Sequence, residues 1–235
     1  MNNEQERNNK VFISGEIVSE AEFSHEVYGE GFYEMSVLVK RLSGQGDILP
    51  VTISERLIEN KNLKVGDNLS GIGQFRSYNK LVDGKSKLML TVFIRELLEY
   101  CDFATPNAIV LTGYICKQPI YRTTPFNREI ADILVAVNRS YNKSDYIPCI
   151  AWGRNARFAK NLAVGEKIAI CGRIQSRDYQ KRISDDEIKI KTAYEVSISK
   201  LCAYESAINF DLEQEFNLET YKKERLDYDM YKAEI

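Results

Sequence analysis

Apolar and polar residues alternate along much of the chain, most clearly in residues 145–179, DYIPCIAWGRNARFAKNLAVGEKIAICGRIQSRDY. Successive side chains of a strand point to opposite faces. Over 146–152, Ile147, Cys149 and Ala151 therefore share a face fit for burial, and Tyr146, Ile150 and Trp152 share the other. Over 167–179 the same parity turns Ile168, Ile170 and Ile174 inward and leaves Arg173, Arg177 and Tyr179 outside. Alternation in Ile133, Val135 and Val137, and in Tyr194, Val196 and Ile198, predicts two more half-buried strands. This half of the chain thus predicts strands near 108–114, 130–139, 146–152, 167–176 and 188–199, with a helix near 155–162. Gly113 and Gly172 fall inside strand patterns, where a missing side chain permits a bulge or a sharp bend.

The pattern occurs twice. VFISGEI at 11–17 matches IVLTGYI at 109–115, an offset of 98, and EMSVLVKR at 34–41 matches DILVAVNR at 132–139 at the same offset. DILPVTI at 47–53 then falls on DYIPCIA at 145–151 without a gap. KVGDNLSGIGQFRS at 64–77 meets AVGEKIAICGRIQS at 163–176 after a one-residue shift, and LTVFIRELLEY at 90–100 corresponds to AYEVSISKLCAY at 193–204. Each copy reads as three strands, a short helix and two strands, the order of an OB-fold barrel. The expected organisation is all-β: a polar extension at 1–9, one five-stranded barrel at 10–100, a second at 107–204 and a tail at 205–235. The connection at 101–106 is too short for a free linker, so the copies are expected to pack as a pseudo-dimer.

Rings beside guanidinium groups on an exposed sheet face are the ingredients of a single-strand track, since rings stack on any base and cations meet phosphates. The second copy also carries NAIVLTGYI, RTTP, AVNR, YIPCIAWG, AVGEKI, GRIQSRDY and TAYEV in order, and in this it resembles the bacterial single-stranded DNA-binding proteins. The resemblance covers nearly all of that copy and implies OB folds, sequence-tolerant binding of single strands in replication, recombination or repair, and assemblies of four OB domains. For a chain with two such domains that means a homodimer. It also implies base-stacking roles for Tyr141, Tyr146, Trp152 and Tyr179, while Arg122, Arg139, Arg154, Arg157, Arg173, Arg177, Lys181 and Arg182 are candidates to follow the phosphates.

The first copy departs from this. Opposite Tyr141, Tyr146 and Trp152 it has Ser43, Ile48 and Ser54, and near its fourth strand only Phe75 and Tyr78 offer rings. Residues 107–200 carry 16 Lys and Arg against 9 Asp and Glu, whereas residues 10–100 carry 11 against 13. Phosphates are expected to favour the second copy, and the overall charge of −2 conceals a basic half.

The tail holds 4 basic and 9 acidic residues, and Leu212, Phe216 and Tyr221 are spaced for one side of a helix. The resemblance implies that such a tail recruits replication or repair proteins, but this one ends DYDMYKAEI, without the family's acidic tip closing in Pro-Phe.

The five cysteines are spread without a CxxC pair and the single histidine, His25, lacks a partner motif, so no metal or cofactor is expected. Phosphate-loop, dinucleotide, HExxH and GxSxG signatures are absent, which argues against an enzyme. No apolar run approaches bilayer length and the polar start has no apolar signal region, so a cytoplasmic location is expected. The alternative function is a primosome-type OB adaptor that works mainly through protein contacts.

Overall fold

The first repeat folds as β1 (Asn9–Ile17), β2 (Glu22–Val27), β3 (Glu30–Lys40), β4 (Gly46–Ser54), α1 (Glu55–Lys61), β5 (Asn68–Val82) and β6 (Lys85–Leu98). The second gives β7 (Asn107–Ile115), β8 (Ile120–Thr123), β9 (Glu129–Asn138), β10 (Ser144–Trp152), α2 (Arg154–Ala159), β11 (Lys167–Arg182) and β12 (Ile188–Ala203), followed by one 3₁₀ turn at Tyr204–Ser206. The structure, a computed structural model, describes residues 8–41, 43–82, 84–99, 105–182 and 188–206. Most of the connection at 101–106 and nearly all of the tail, with the helix expected in it, lie outside the described residues.

Each repeat closes a barrel. β1 pairs with β5 and then β3, β5 with β6, β3 with β4, all antiparallel, and the parallel pair β4–β6 completes the ring. β7, β9, β10, β12 and β11 repeat the arrangement. To each five-stranded barrel the structure adds an edge strand not expected from the sequence, β2 on β3 and β8 on β9. Every residue of β2 is exposed, so no buried face reveals it as alternation.

The barrel interiors hold Met35, Val37, Leu49, Val51 and Phe75 in the first and the expected inward residues Val135, Val137, Ile147, Cys149 and Ile174 in the second. Fully burying such side chains stabilises by about 1.5–3 kcal/mol each. β1 and β7 can turn the barrel corner because a Cβ on Gly15 would lie 2.3 Å from the Leu38 carbonyl oxygen and one on Gly113 2.5 Å from that of Ala136. Gly172 sits at the bulge of β11, as Gly73 does in β5. α2 presses Ala156 and Ala159 onto its barrel and ends at Ala159, earlier than expected, because the chain turns at Lys160 and Asn161 while Leu162 still reaches the core.

The barrels join edge to edge through β1 and β7, antiparallel, with Val11 opposite Ile109. Since 109 − 11 = 98, each strand meets its own repeat counterpart, and the contact has the self-complementary form of a two-fold dimer. Asn9 belongs to this joint and not to a free extension: its side chain bonds both the N–H (2.9 Å) and the carbonyl (2.7 Å) of Phe75. Asn107 does the same for Ile174, at 2.9 and 2.7 Å.

Two carboxylates lock the joint crosswise. Asp47 of the first barrel accepts the Ser176 N–H (2.8 Å), and Asp145 of the second accepts the Ser77 N–H (2.7 Å). Both carboxylates are buried. Asp47 is held by two guanidiniums, Arg41 at 2.5 Å and Arg173 at 3.2 Å, whereas Asp145 has only Arg139 at 3.3 Å, and its Oδ2 has no hydrogen-bond partner among the described residues.

Candidate nucleic-acid interface

Strand parity brings the second barrel's rings to its outer face. Tyr146 and Trp152 are six residues apart on β10, roughly 20 Å along the strand, and are 45% and 39% exposed. Tyr179 stands on β11, 38% exposed, beyond Arg173, Gln175 and Arg177. Ile150, expected outward with the rings, is buried instead, lying between Asp132 of β9 and Ser197 of β12. Tyr141 is 90% exposed at the β9–β10 turn and takes a left-handed backbone, φ 61°, which a bulky residue adopts only under strain.

Trp152, Arg173, Gln175, Arg177, Asp178 and Ser197 line a groove of about 640 Å³ whose other wall is Arg41, Gln45 and Gly46 from the β3–β4 turn of the first barrel. Arg41 is a groove residue that the sequence does not announce, because nothing local to it signals that its turn reaches across to β11. The groove thus depends on how the barrels are joined, and the Asp47 cluster that fixes the joint forms part of its edge.

The candidate cations are not equivalent. Arg139 and Arg173 are committed to the buried interface carboxylates, a structural role the sequence reading missed, although Arg173 also faces the groove. Arg122 pairs with Asp132 at 3.0 Å, Arg177 with Glu195 at 3.6 Å, and Arg157 with Glu129. Arg122, Arg154 and Arg157 sit on β8 and α2 and do not line the groove; Arg154 makes no ion pair among the described residues. Lys181 and Arg182 close β11, and their side chains lie outside the described residues.

Burial pushes the Asp47 carboxyl up, but Arg41, the Ser176 N–H and Arg173 outweigh it and leave the group below its ordinary value. At Asp145 burial wins: the Ser77 N–H, Arg139 and Arg76 only partly offset it, and the carboxyl stays above its ordinary value.

The cause is a transposition. Arg173 and Gln175 occupy the repeat positions of Gln74 and Arg76, each pair being offset by 99. Arg173 therefore reaches Asp47 across the joint, while Arg76 lies over the Phe93 ring, 4.8 Å from its centroid, and bonds Gln74 Oε1. Burial lowers Arg76 to about 10.

In the first barrel the expectation for Phe75 is corrected: its side chain is fully buried in the core. At the one-residue shift it corresponds to Ile174, an inward position, so parity already excluded it. Tyr78 is part-exposed and donates its hydroxyl to Glu34 at 3.1 Å; burial and that carboxylate push the phenol up to about 12. The barrel's outer face does carry rings, drawn from other strands than in the second barrel. Phe32 of β3 and Phe93 of β6 lie with centroids 5.5 Å apart, and His25 of β2 stacks on Phe32 at 5.2 Å. Both phenylalanines alternate with inward residues, Met35 and Val37 on β3, Val92 and Ile94 on β6, a signal that position-by-position comparison with the other repeat passes over.

Among the described residues no group of three or more His, Cys, Asp or Glu could hold a metal ion, and no helix is long and apolar enough to cross a membrane.

Residues 106–202 match the single-strand binding protein family. Over 83 residues the chain is 36% identical to single-stranded DNA-binding protein 1 of Staphylococcus aureus, covering 32% of this chain and 50% of that one. Single-stranded DNA-binding protein A of Bacillus subtilis is 34% identical over 83 residues, covering 32% and 48%. The chain thus spans about half the length of these relatives. The crystal structure of a deletion mutant of the Thermus aquaticus single-stranded DNA-binding protein superposes with a TM-score of 0.64 at 21% identity, covering 88% of this chain and 99% of that one, and supports the tandem-barrel fold. The part of the chain that is similar to the single-strand binding protein family is thus the second barrel, residues 106–202.

Proposed function

We propose that the chain binds single-stranded DNA without strong sequence demands and covers it during replication, recombination or repair, acting as a binding protein and not as an enzyme. The observation that carries this reading is the inter-barrel groove, where Trp152 stands beside Arg41, Arg173 and Arg177. Tyr141, Tyr146 and Tyr179 are further exposed rings of the same barrel, and the exposed guanidiniums of Arg122, Arg157 and Arg177 can exchange their carboxylate partners for a phosphate. The second barrel makes the principal contacts, and two chains associate to bring four barrels together. Recruitment of replication or repair proteins is assigned to the acidic tail. The match of the second barrel to the single-strand binding protein family supports this reading.

Trp152 is the only tryptophan, so its fluorescence reports on the groove. Titration with oligodeoxythymidine is expected to quench it strongly, with affinity falling steeply as salt rises. Absence of both quenching and binding at low salt would overturn the proposal in favour of an adaptor whose partners are proteins.

A further inference from the structure

The outer face of the first barrel differs in chemistry from that of the second. Its rings form a platform: Phe93 packs against Phe32, Arg76 lies over Phe93 and His25 stacks on Phe32. Glu34 lies two residues along β3 from Phe32, hence on the same face and roughly 7 Å away along the strand.

Two hydroxyls converge on one oxygen of that carboxylate. Ser24 donates to Glu34 Oε1 at 2.8 Å and Tyr78 donates to the same atom at 3.1 Å. The carboxylate is thereby oriented by neutral groups, and Oε2 has no hydrogen-bond partner among the described residues. The raised phenol of Tyr78 keeps its proton at neutral pH and remains a donor. In the second barrel the counterpart of Glu34 is Asp132, at the repeat offset of 98, and Arg122 grips both of its oxygens at 3.0 and 3.4 Å. One carboxylate is neutralised by a guanidinium, and the other keeps an acceptor available beside a stacking platform.

We infer that the first barrel holds a base-selective subsite in which Glu34 accepts a hydrogen bond from the exocyclic amino group of a stacked cytosine and disfavours thymine. The inference rests on the single-strand-binding reading above. A carboxylate accepts from cytosine N4. Thymine presents the O4 acceptor at that position, so a stacked thymine sets two acceptors against each other and leaves Oε2 unpaired. Rings alone would not discriminate, because every base offers a π-face. The position of Glu34 therefore gives this barrel a preference that the second barrel lacks.

The test compares the full-length protein with two variants, Glu34→Gln and Tyr78→Phe, each checked for retained folding by thermal melting. Binding to oligodeoxycytidine and oligodeoxythymidine of roughly 30 nucleotides, long enough to reach both barrels at up to about 16 nucleotides per OB fold, is followed by fluorescence anisotropy at one salt concentration. The ratio of cytidine to thymidine affinity is expected to fall about fivefold to tenfold in Glu34→Gln, whose amide can donate to thymine O4. It is expected to rise in Tyr78→Phe, which keeps the ring and releases Oε1. An equal loss on both polymers, or an unchanged ratio in both variants, overturns the subsite. Failure of the wild-type protein to bind either polymer overturns the single-strand-binding reading itself.

Discussion

The two barrels share a fold, a joint and most of a core, yet each builds its outer face differently. The second places its largest ring, Trp152, on β10, where the first has a buried Ser54; the first places Phe32 and Phe93 on β3 and β6, where the second has Ile130 and Ser197. Outward-facing rings thus occur at the same place on the two sheets and not at the same sequence positions, which a position-by-position comparison of repeats misses. The polar groups diverge in the same way. Exchange of Gln and Arg between two positions of one strand decides whether a guanidinium joins the barrels or supports a ring.

Phe75 and Phe93 provide the sharpest contrast within one barrel. Phe75→Ala is expected to cost about 3–5 kcal/mol of stability in denaturant melts, as for a fully buried ring, with any loss of DNA affinity following from unfolding. Phe93→Ala is expected to leave the melt nearly unchanged and weaken binding modestly.

Next come the two interface carboxylates. Asp47→Asn strands Arg41 and Arg173 and is expected to cost about 3 kcal/mol, the low end of the range for removing one partner of a buried pair, because both arginines keep some access to water. Asp145→Asn keeps an acceptor for the Ser77 N–H and removes a charge that burial disfavours, so it is expected to change stability by less than about 1 kcal/mol in either direction. Equal losses would remove the distinction between the two sides of the joint.

Their pH behaviour should also diverge. Asp47 lies below the ordinary 3.8, so its contribution is complete above that value and is lost as pH falls through its lower folded value. Asp145 lies above 3.8, so its charge costs stability at neutral pH, and that cost disappears as pH falls through its raised folded value. In acid titrations of stability, the effect of Asp145→Asn should therefore fade at a higher pH than that of Asp47→Asn.

The last contrast is in binding. Trp152→Ala is expected to lose about 2 kcal/mol, roughly thirtyfold, on oligodeoxythymidine, and Phe93→Ala about half as much in free energy, since its ring is already partly covered. Equal losses from the two variants would mean that both barrels hold the strand alike.

Much of this was legible in the chain. Alternation on β10 and β11 predicts Tyr146, Trp152 and Tyr179 as exposed, and the repeat counterparts Val11 and Ile109 face each other in the β1–β7 joint. The same alternation places Phe75 inward with its counterpart Ile174, and Phe32 and Phe93 outward. Other features leave no local trace. Asp47 meets Ser176 from 129 residues away, and no spacing rule announces a contact between surfaces shaped by two separately closed barrels. β2 escaped notice because alternation requires one buried face, and β2 has none.

The pairing of β1 with β7 has a consequence for concentration. In a dimer of separate chains such a ladder competes with dilution, but here both strands lie on one chain, and the short connection sets a high effective concentration of one for the other. Dilution that would dissociate separate chains leaves this ladder intact. Because the partners are no longer copies of a single sequence, a substitution on one side of the joint is not imposed on the other, so the two faces of the chain are free to acquire different ligand preferences.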